Sequence, residues 1–161
     1  LKKSKKINNI GFSLYEKKEL HQLLKICKPD VIQVPLNLFN QSFNTPEVFN
    51  LKKKFNFKIY ARSLFLQGIL LASKDEIPDK FKKVFKKYEN FLLSKKMNKL
   101  DACLNFVFKT FFDKFIIGIQ NEKQLKMILD NLKIRYNRNV NFKKLHVKSK
   151  LLNDPRKWRK I

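Results

Sequence analysis

Residues 31–41 read VIQVPLNLFNQ, a short apolar run that breaks into amides as soon as it ends. The turn pair Pro29-Asp30 introduces the run, which occupies 31–36 and leads through 37–46 into a helical pattern over 47–55. The same sequence of events occurs three more times. Before it, residues 7–13 are followed by 16–27, where Leu20, Leu23, Leu24 and Cys27 recur at helical spacing. After it, residues 57–66 precede a longer insertion, and residues 115–119 (FIIGI) precede a helix over 122–132. Short strands alternating with helices predict βα units and a parallel sheet. Strands buried on both faces read as unbroken apolar runs, as FIIGI does. The insertion carries two helical segments, 78–93 and 100–111, the second with a stripe of Leu100, Leu104, Val107 and Phe111. Residues 137–150 are basic and lack a clear period, so they predict a loop or a ragged final helix. The closing NDPRKW predicts a tail tied down by Trp158.

The chain has 161 residues, enough for one domain with a core. Apolar residues make up 43%, and the 16 Phe argue for a packed protein over a disordered one. Four βα units are half of a (β/α)8 barrel, which needs about 250 residues. The fold class expected is therefore α/β with parallel strands, and a barrel reading implies that part of the barrel lies outside these residues. Leu1 in place of Met fits a chain entered partway. Residues 1–161 are read as one domain, with 133–161 as its C-terminal loop and tail.

Net charge is +24, from 37 Lys and Arg against 13 Asp and Glu. Such an excess points to anionic partners, but almost all of it is Lys. Arg, the usual choice for bidentate phosphate and base contacts, stands only at Arg62, Arg135, Arg138, Arg156 and Arg159. The lysines are scattered among Asn, Ile and Phe, the signature of AT-rich coding, so nucleic acid is not the expected partner. Cys27, Cys103, His21 and His146 stand in no metal or redox spacing and predict packing or surface roles. No metal site is expected. No signal peptide and no apolar run of membrane-spanning length are visible, so the expected location is the cytoplasm.

With three glycines, the chain has no Gly-rich phosphate loop of the dinucleotide-fold or P-loop kind. In parallel barrels, ligands bind at the C-terminal ends of the strands. Polar residues at those ends are Ser13, Gln33 with Asn37, Arg62 with Ser63 and Gln67, and Gln120 with Asn121. Asn121 and Gln124 have capping-box spacing, which opens a helix whose free N–H groups suit a phosphate. Each has a structural alternative: a cap for Asn121, an interior hydrogen bond for Gln33, an ion pair for Arg62. Gly11, Gly68 and Gly118 stand where a tight turn or a close approach is expected.

The segments INNIGFSLY (7–15), VIQVPLNLFNQ (31–41), YARSLFLQGILL (60–71) and FIIGIQNEKQL (115–125) resemble strands five to eight of the aldo/keto reductase family. Their order and spacing agree, and ACLNFVF (102–108) resembles that family's helix before the eighth strand, which implies the C-terminal half of a (β/α)8 barrel. The resemblance implies an NADP or NAD cofactor and a small carbonyl substrate, such as an aldehyde, ketone or sugar-like compound. It implies Ser13 and Gln33 beside the nicotinamide carboxamide, and Arg62 where an aromatic residue commonly stacks on the nicotinamide ring. It further implies Ser63, Leu64, Phe65, Gln67 and Gly68 in the loop around the pyrophosphate. Gly118, Gln120, Asn121 and Gln124 fall around the adenosine phosphate. Leu14 replaces a frequent Asn, Leu64 a frequent Pro, and Met127 and Ile128 the usual Glu and Asn near adenine. No Lys/Arg pair marks a 2′-phosphate clamp.

The family's catalytic Asp, Tyr, Lys and His come from its first four strands, so no catalytic residue is assigned here. Two sheet edges left open predict that the chain alone is inactive and self-associating. The alternative reading is a non-catalytic basic binding module or a degenerate half-barrel remnant.

Overall fold

The computed structural model describes residues 2, 4–132 and 139–160. Arg135, Arg138 and the first residues of the 137–150 segment lie outside the described residues. Four strands form one parallel sheet in the order β1 (Gly11–Ser13), β2 (Val31–Pro35), β3 (Lys58–Arg62) and β4 (Lys114–Phe115). Each crossover steps one strand in the same direction. Right-handed crossovers that never reverse put all the helices on one face of the sheet. That is the arrangement of consecutive units of a (β/α)8 barrel and not of a doubly wound sheet, whose strand order reverses.

The helices fall close to where periodicity puts them, with caps that explain their ends. α1 (Lys17–Ile26) opens with a capping box: the Glu16 side chain accepts from the Glu19 N–H, and Glu19 reaches back to the Glu16 N–H. It buries Leu20 completely, with Leu23 and Leu24 packed beside it. α2 (Pro46–Phe55) has Thr45 as N-cap and Pro46 in its first turn, and Asn56 ends it in the left-handed region. The insertion forms α3 (Lys82–Lys95) and α4 (Lys99–Val107), so Phe111 lies past the end of the second helix and not on its stripe. α5 (Glu122–Leu132) follows β4. The ragged end contains a 3-10 turn (Lys143–Leu145), the short α6 (Lys150–Asn153) and a second 3-10 segment (Pro155–Lys160).

The two outer strands are shorter than their apolar runs. Residues 7–10 and 116–119 continue the runs, but the ladder stops because each strand has a partner on one side only. Ile7, Ile10 and Phe12 flank one edge and Ile116 and Ile119 the other, all more than a third exposed. A backbone bond from Ile116 N–H to the Ala61 carbonyl, 2.7 Å, carries the pairing one residue beyond β4.

The core lies between sheet and helices. Ile32, Val34, Ile59 and Ala61 are fully buried on the strands. Beyond β2 the chain stays buried through Gln41, where Phe39 meets Phe85 and Tyr88 of α3 edge-on at 5.2 and 5.4 Å. Cys103 is buried, and burial pushes its thiol up to about 12. It stays a neutral packing group. The tail is tied down as expected. Trp158 Nε1 donates to the Leu151 carbonyl at 2.9 Å, and its ring packs 5.7 Å from that of Phe81. Among the described residues no helix is long and apolar enough to cross a membrane.

Candidate functional site

The parallel register brings the C-terminal ends of β1, β2 and β3 side by side. Ser13 is paired with Gln33, and Gln33 with Tyr60. The Ser13 hydroxyl donates to Gln33 Oε1 at 3.4 Å, a long bond that leaves the amide N–H groups of Gln33 free to turn elsewhere. Ser13, at the end of β1, is exposed, and Gln33, in the middle of β2, is half-buried; alternation along the strand puts Gln33 on the face opposite the buried Ile32 and Val34. Neither is a core polar group satisfied by its neighbours.

Arg62 closes β3 and is half-buried. Its guanidinium donates to the Leu14 carbonyl and to Ser63 Oγ, both at 3.4 Å, and lies 4.1 Å from the centroid of the Tyr15 ring. Among the described residues no carboxylate pairs with it, so the ion-pair alternative fails. A polar network and an aromatic face meet the cost of its partial burial. Arg156, from the C-terminal segment, lies 3.6 Å from the same centroid. Two guanidiniums this close to one centroid collide if they share a face, so Tyr15 is held between them.

The loop after β3 gathers several residues in the left-handed region. Ser63, Leu66 and Gln67 have positive φ (61°, 49° and 58°), and Gly68 follows at 87°. Non-glycine residues avoid this region, and clusters of them mark sites where the backbone is held for a purpose. Successive N–H groups in such conformations form anion-binding concavities. The side chains of Leu64 and Phe65 are buried, so only their backbone is available to a ligand. Gln67 and Gly68 are exposed, and a Cβ added at Gly68 would meet nothing within 4 Å. Asn37 anchors this loop. Its Oδ1 accepts from the N–H of Phe39 and Asn40, and its Nδ2 donates to the Ser63 carbonyl at 3.1 Å. It is 1% exposed and acts as a brace, not as a ligand contact.

At the end of β4, Asn121 Oδ1 caps α5 by accepting from the Gln124 N–H at 2.9 Å. Gln124 Oε1 accepts from the Gln120 N–H, one residue earlier than a standard capping box. Gly118 is exposed with nothing within 4 Å of an added Cβ. Ser13, Gln33, Arg62 and Ser63 are thus brought together. The Gly118–Gln124 group stands at the same end of the sheet, on its outer strand. Met127 is exposed, while Ile128 is 4% exposed and belongs to the core.

Sequence reasoning missed Tyr15, Arg156 and His146. His146 Nδ1 lies 3.2 Å from the Gln41 N–H and 3.0 Å from the Phe39 carbonyl, which fixes its ring against the loop after β2. These residues line a cavity of about 390 Å³ between the strand ends and the C-terminal segment. Only the position of Tyr15 after Ser13 hinted at this, because contacts across more than 100 residues leave no local pattern. Among the described residues no cluster of His, Cys, Asp and Glu can hold a metal ion.

The sequence profile described as the Aldo/keto reductase family matches residues 1–142. No curated protein matches the chain. Among solved structures, it is similar to a glycerol dehydrogenase of Gluconobacter oxydans at 16% identity and a TM-score of 0.46. That match covers 86% of this chain and 53% of the other, so the chain spans about half the length of the solved relative.

Proposed function

The chain belongs to the aldo/keto reductase family, and from that membership we propose that it is the C-terminal half of the family's barrel and supplies most of a nicotinamide-cofactor cleft. The observation that carries the reading is the shared rim: Ser13 bonded to Gln33, with Arg62 and the strained 63–68 loop beside them.

The residues present fit such a cofactor. Gln33 offers amide N–H groups and a carbonyl to a carboxamide, with Ser13 next to it. Arg62 gives one face to Tyr15 and keeps the other for a flat ring. The open backbone at Gly68 and the left-handed loop suit a pyrophosphate. Gln120, Asn121 and Gln124 at the start of α5 suit a further phosphate. Bound NADP or NAD supplies the hydride for reversible reduction of an aldehyde, ketone or sugar-like carbonyl. This chain's residues bind and orient the cofactor; none acts as the general acid. The apolar edges of β1 and β4 are where the remaining strands of the barrel pair, and alone they favour self-association.

The test is a carbonyl-reduction assay of the full-length protein with NADPH and NADH against a panel of small aldehydes and ketones. Cofactor oxidation that depends on substrate supports the proposal. Its absence across the panel with both cofactors rejects it.

A further inference from the structure

The rim carries a positive charge with no counter-charge in the segments that build it. Residues 7–15, 31–41 and 60–71 contain no Asp or Glu, although the chain has 13, and Arg62 is their only charged residue. Among the described residues its guanidinium bonds neutral groups, the Leu14 carbonyl and Ser63 Oγ, both at the long distance of 3.4 Å. The acids nearest in the fold are committed elsewhere. Glu19 accepts the N–H groups of Tyr15 and Glu16 at 2.6 and 2.9 Å. Asp154 holds Arg156 through bonds of 2.8 and 2.9 Å, which offsets the second guanidinium beside Tyr15. A guanidinium keeps its proton in a folded protein. Arg62 is half-buried, so solvent screens its charge only in part.

Stacking alone needs no charge. An aromatic side chain at the end of β3 would offer a flat ring the same surface without the cost of burying a cation. What the charge adds is a choice between two states of that ring. A nicotinamide carries one positive charge when oxidised and none when reduced. The riboses, phosphates and adenine are the same in both forms, so Ser13, Gln33, the 63–68 loop and the start of α5 cannot tell them apart by charge. Arg62 can.

We propose that Arg62 makes this cleft select the reduced cofactor over the oxidised one, an inference that rests on the nicotinamide reading of the rim. Arg62 repels a cationic ring and lies against a neutral one without that repulsion. Like charges in contact at a part-buried site give a discrimination of about tenfold or more, after allowance for solvent screening. A tenfold preference for the reduced form raises the potential of the bound two-electron couple by about 30 mV. Arg62 thereby biases the protein toward reducing a carbonyl and releasing oxidised cofactor, and away from oxidising an alcohol.

Calorimetric titration of the full-length protein at fixed ionic strength, with NADPH and NADP+ and with NADH and NAD+, tests the proposal through affinity alone. The parent should bind the reduced member of at least one pair about tenfold or more tighter than the oxidised member. Arg62→Met keeps the apolar stem and removes the charge, so it should lower that ratio about tenfold or more. Arg62→Gln repeats the measurement with a polar neutral side chain should the Met variant misfold. Arg62→Lys keeps the charge and should keep most of the ratio. A parent ratio near one, a ratio that the neutral variants leave unchanged, or equal weakening of both forms overturns the role of Arg62. Equal weakening would put the guanidinium on a part of the cofactor common to both forms. A parent that binds neither form of either cofactor rejects the nicotinamide reading itself, so the two failures are told apart.

Discussion

Arg62 and Arg156 lie 4.1 and 3.6 Å from the centroid of one ring, that of Tyr15. One comes from the end of β3 and the other from the C-terminal 3-10 segment, so a single aromatic side chain joins the sheet to the tail. Cation–π contacts at half-exposed sites are worth about 0.5–1 kcal/mol each. Tyr15→Ala should therefore lower unfolding free energy by about 1 kcal/mol, as read by denaturant titration. Tyr15→Phe keeps both stacks and should match the parent within error. Equal losses in the two variants would move the effect to the hydroxyl.

The glycines separate packing from openness. A Cβ at Gly11 would sit 3.0 Å from the Val31 carbonyl oxygen, on the neighbouring strand. Gly11→Ala should push β1 from β2 and cost about 1–2 kcal/mol. Gly118→Ala meets open space and should leave stability unchanged. Gly68→Ala forces a side chain to φ 87° and should cost about 1 kcal/mol despite its room. Thermal unfolding of the three variants reads the order directly.

Much of this architecture was legible in the sequence because it depends on local rules. Leu20, Leu23 and Leu24 announce α1 by spacing, and the helical pattern over 47–55 announces α2; FIIGI reads as a buried strand, yet only Phe115 of it joins β4, and Ile116 and Ile119 are more than a third exposed. The ends of the outer strands were not legible, because pairing at 7–10 and 116–119 depends on a neighbour and not on the run itself. On the rim, the strand-end positions of Ser13 and Arg62 were legible, whereas Gln33 lies in the middle of β2, two residues before its end. The buried side chains of Leu64 and Phe65, the brace made by Asn37, and the Tyr15–Arg156 contact needed the folded chain.

Asp154 gives a pH signature. Its hydrogen bonds to Arg156 depress its folded pKa, so the stability it contributes is complete above its unfolded value of about 3.9. That contribution is lost as pH falls through the lower folded value. The stability difference between the parent and Asp154→Asn should be constant from pH 7 to about pH 5 and shrink below about pH 4. A difference that persists at low pH would show that the carboxylate charge is not its source.

Asn105 is fully buried on α4, and among the described residues neither of its amide atoms has a hydrogen-bond partner. An unmet buried amide costs about 1–3 kcal/mol. Asn105→Leu replaces it with an apolar group of similar size and should raise the denaturation midpoint, with a gain of about 1 kcal/mol. A lowered midpoint would show that a water or another chain segment satisfies the amide.

The most direct test of the central claim is a titration of NADPH and NADH into the full-length protein, followed by cofactor fluorescence. Saturable binding of at least one cofactor is predicted, weakened about tenfold or more by Ser13→Ala/Gln33→Ala. Absence of binding, or binding that the Ser13/Gln33 substitutions leave unchanged, would contradict the assignment of this rim as the nicotinamide cleft.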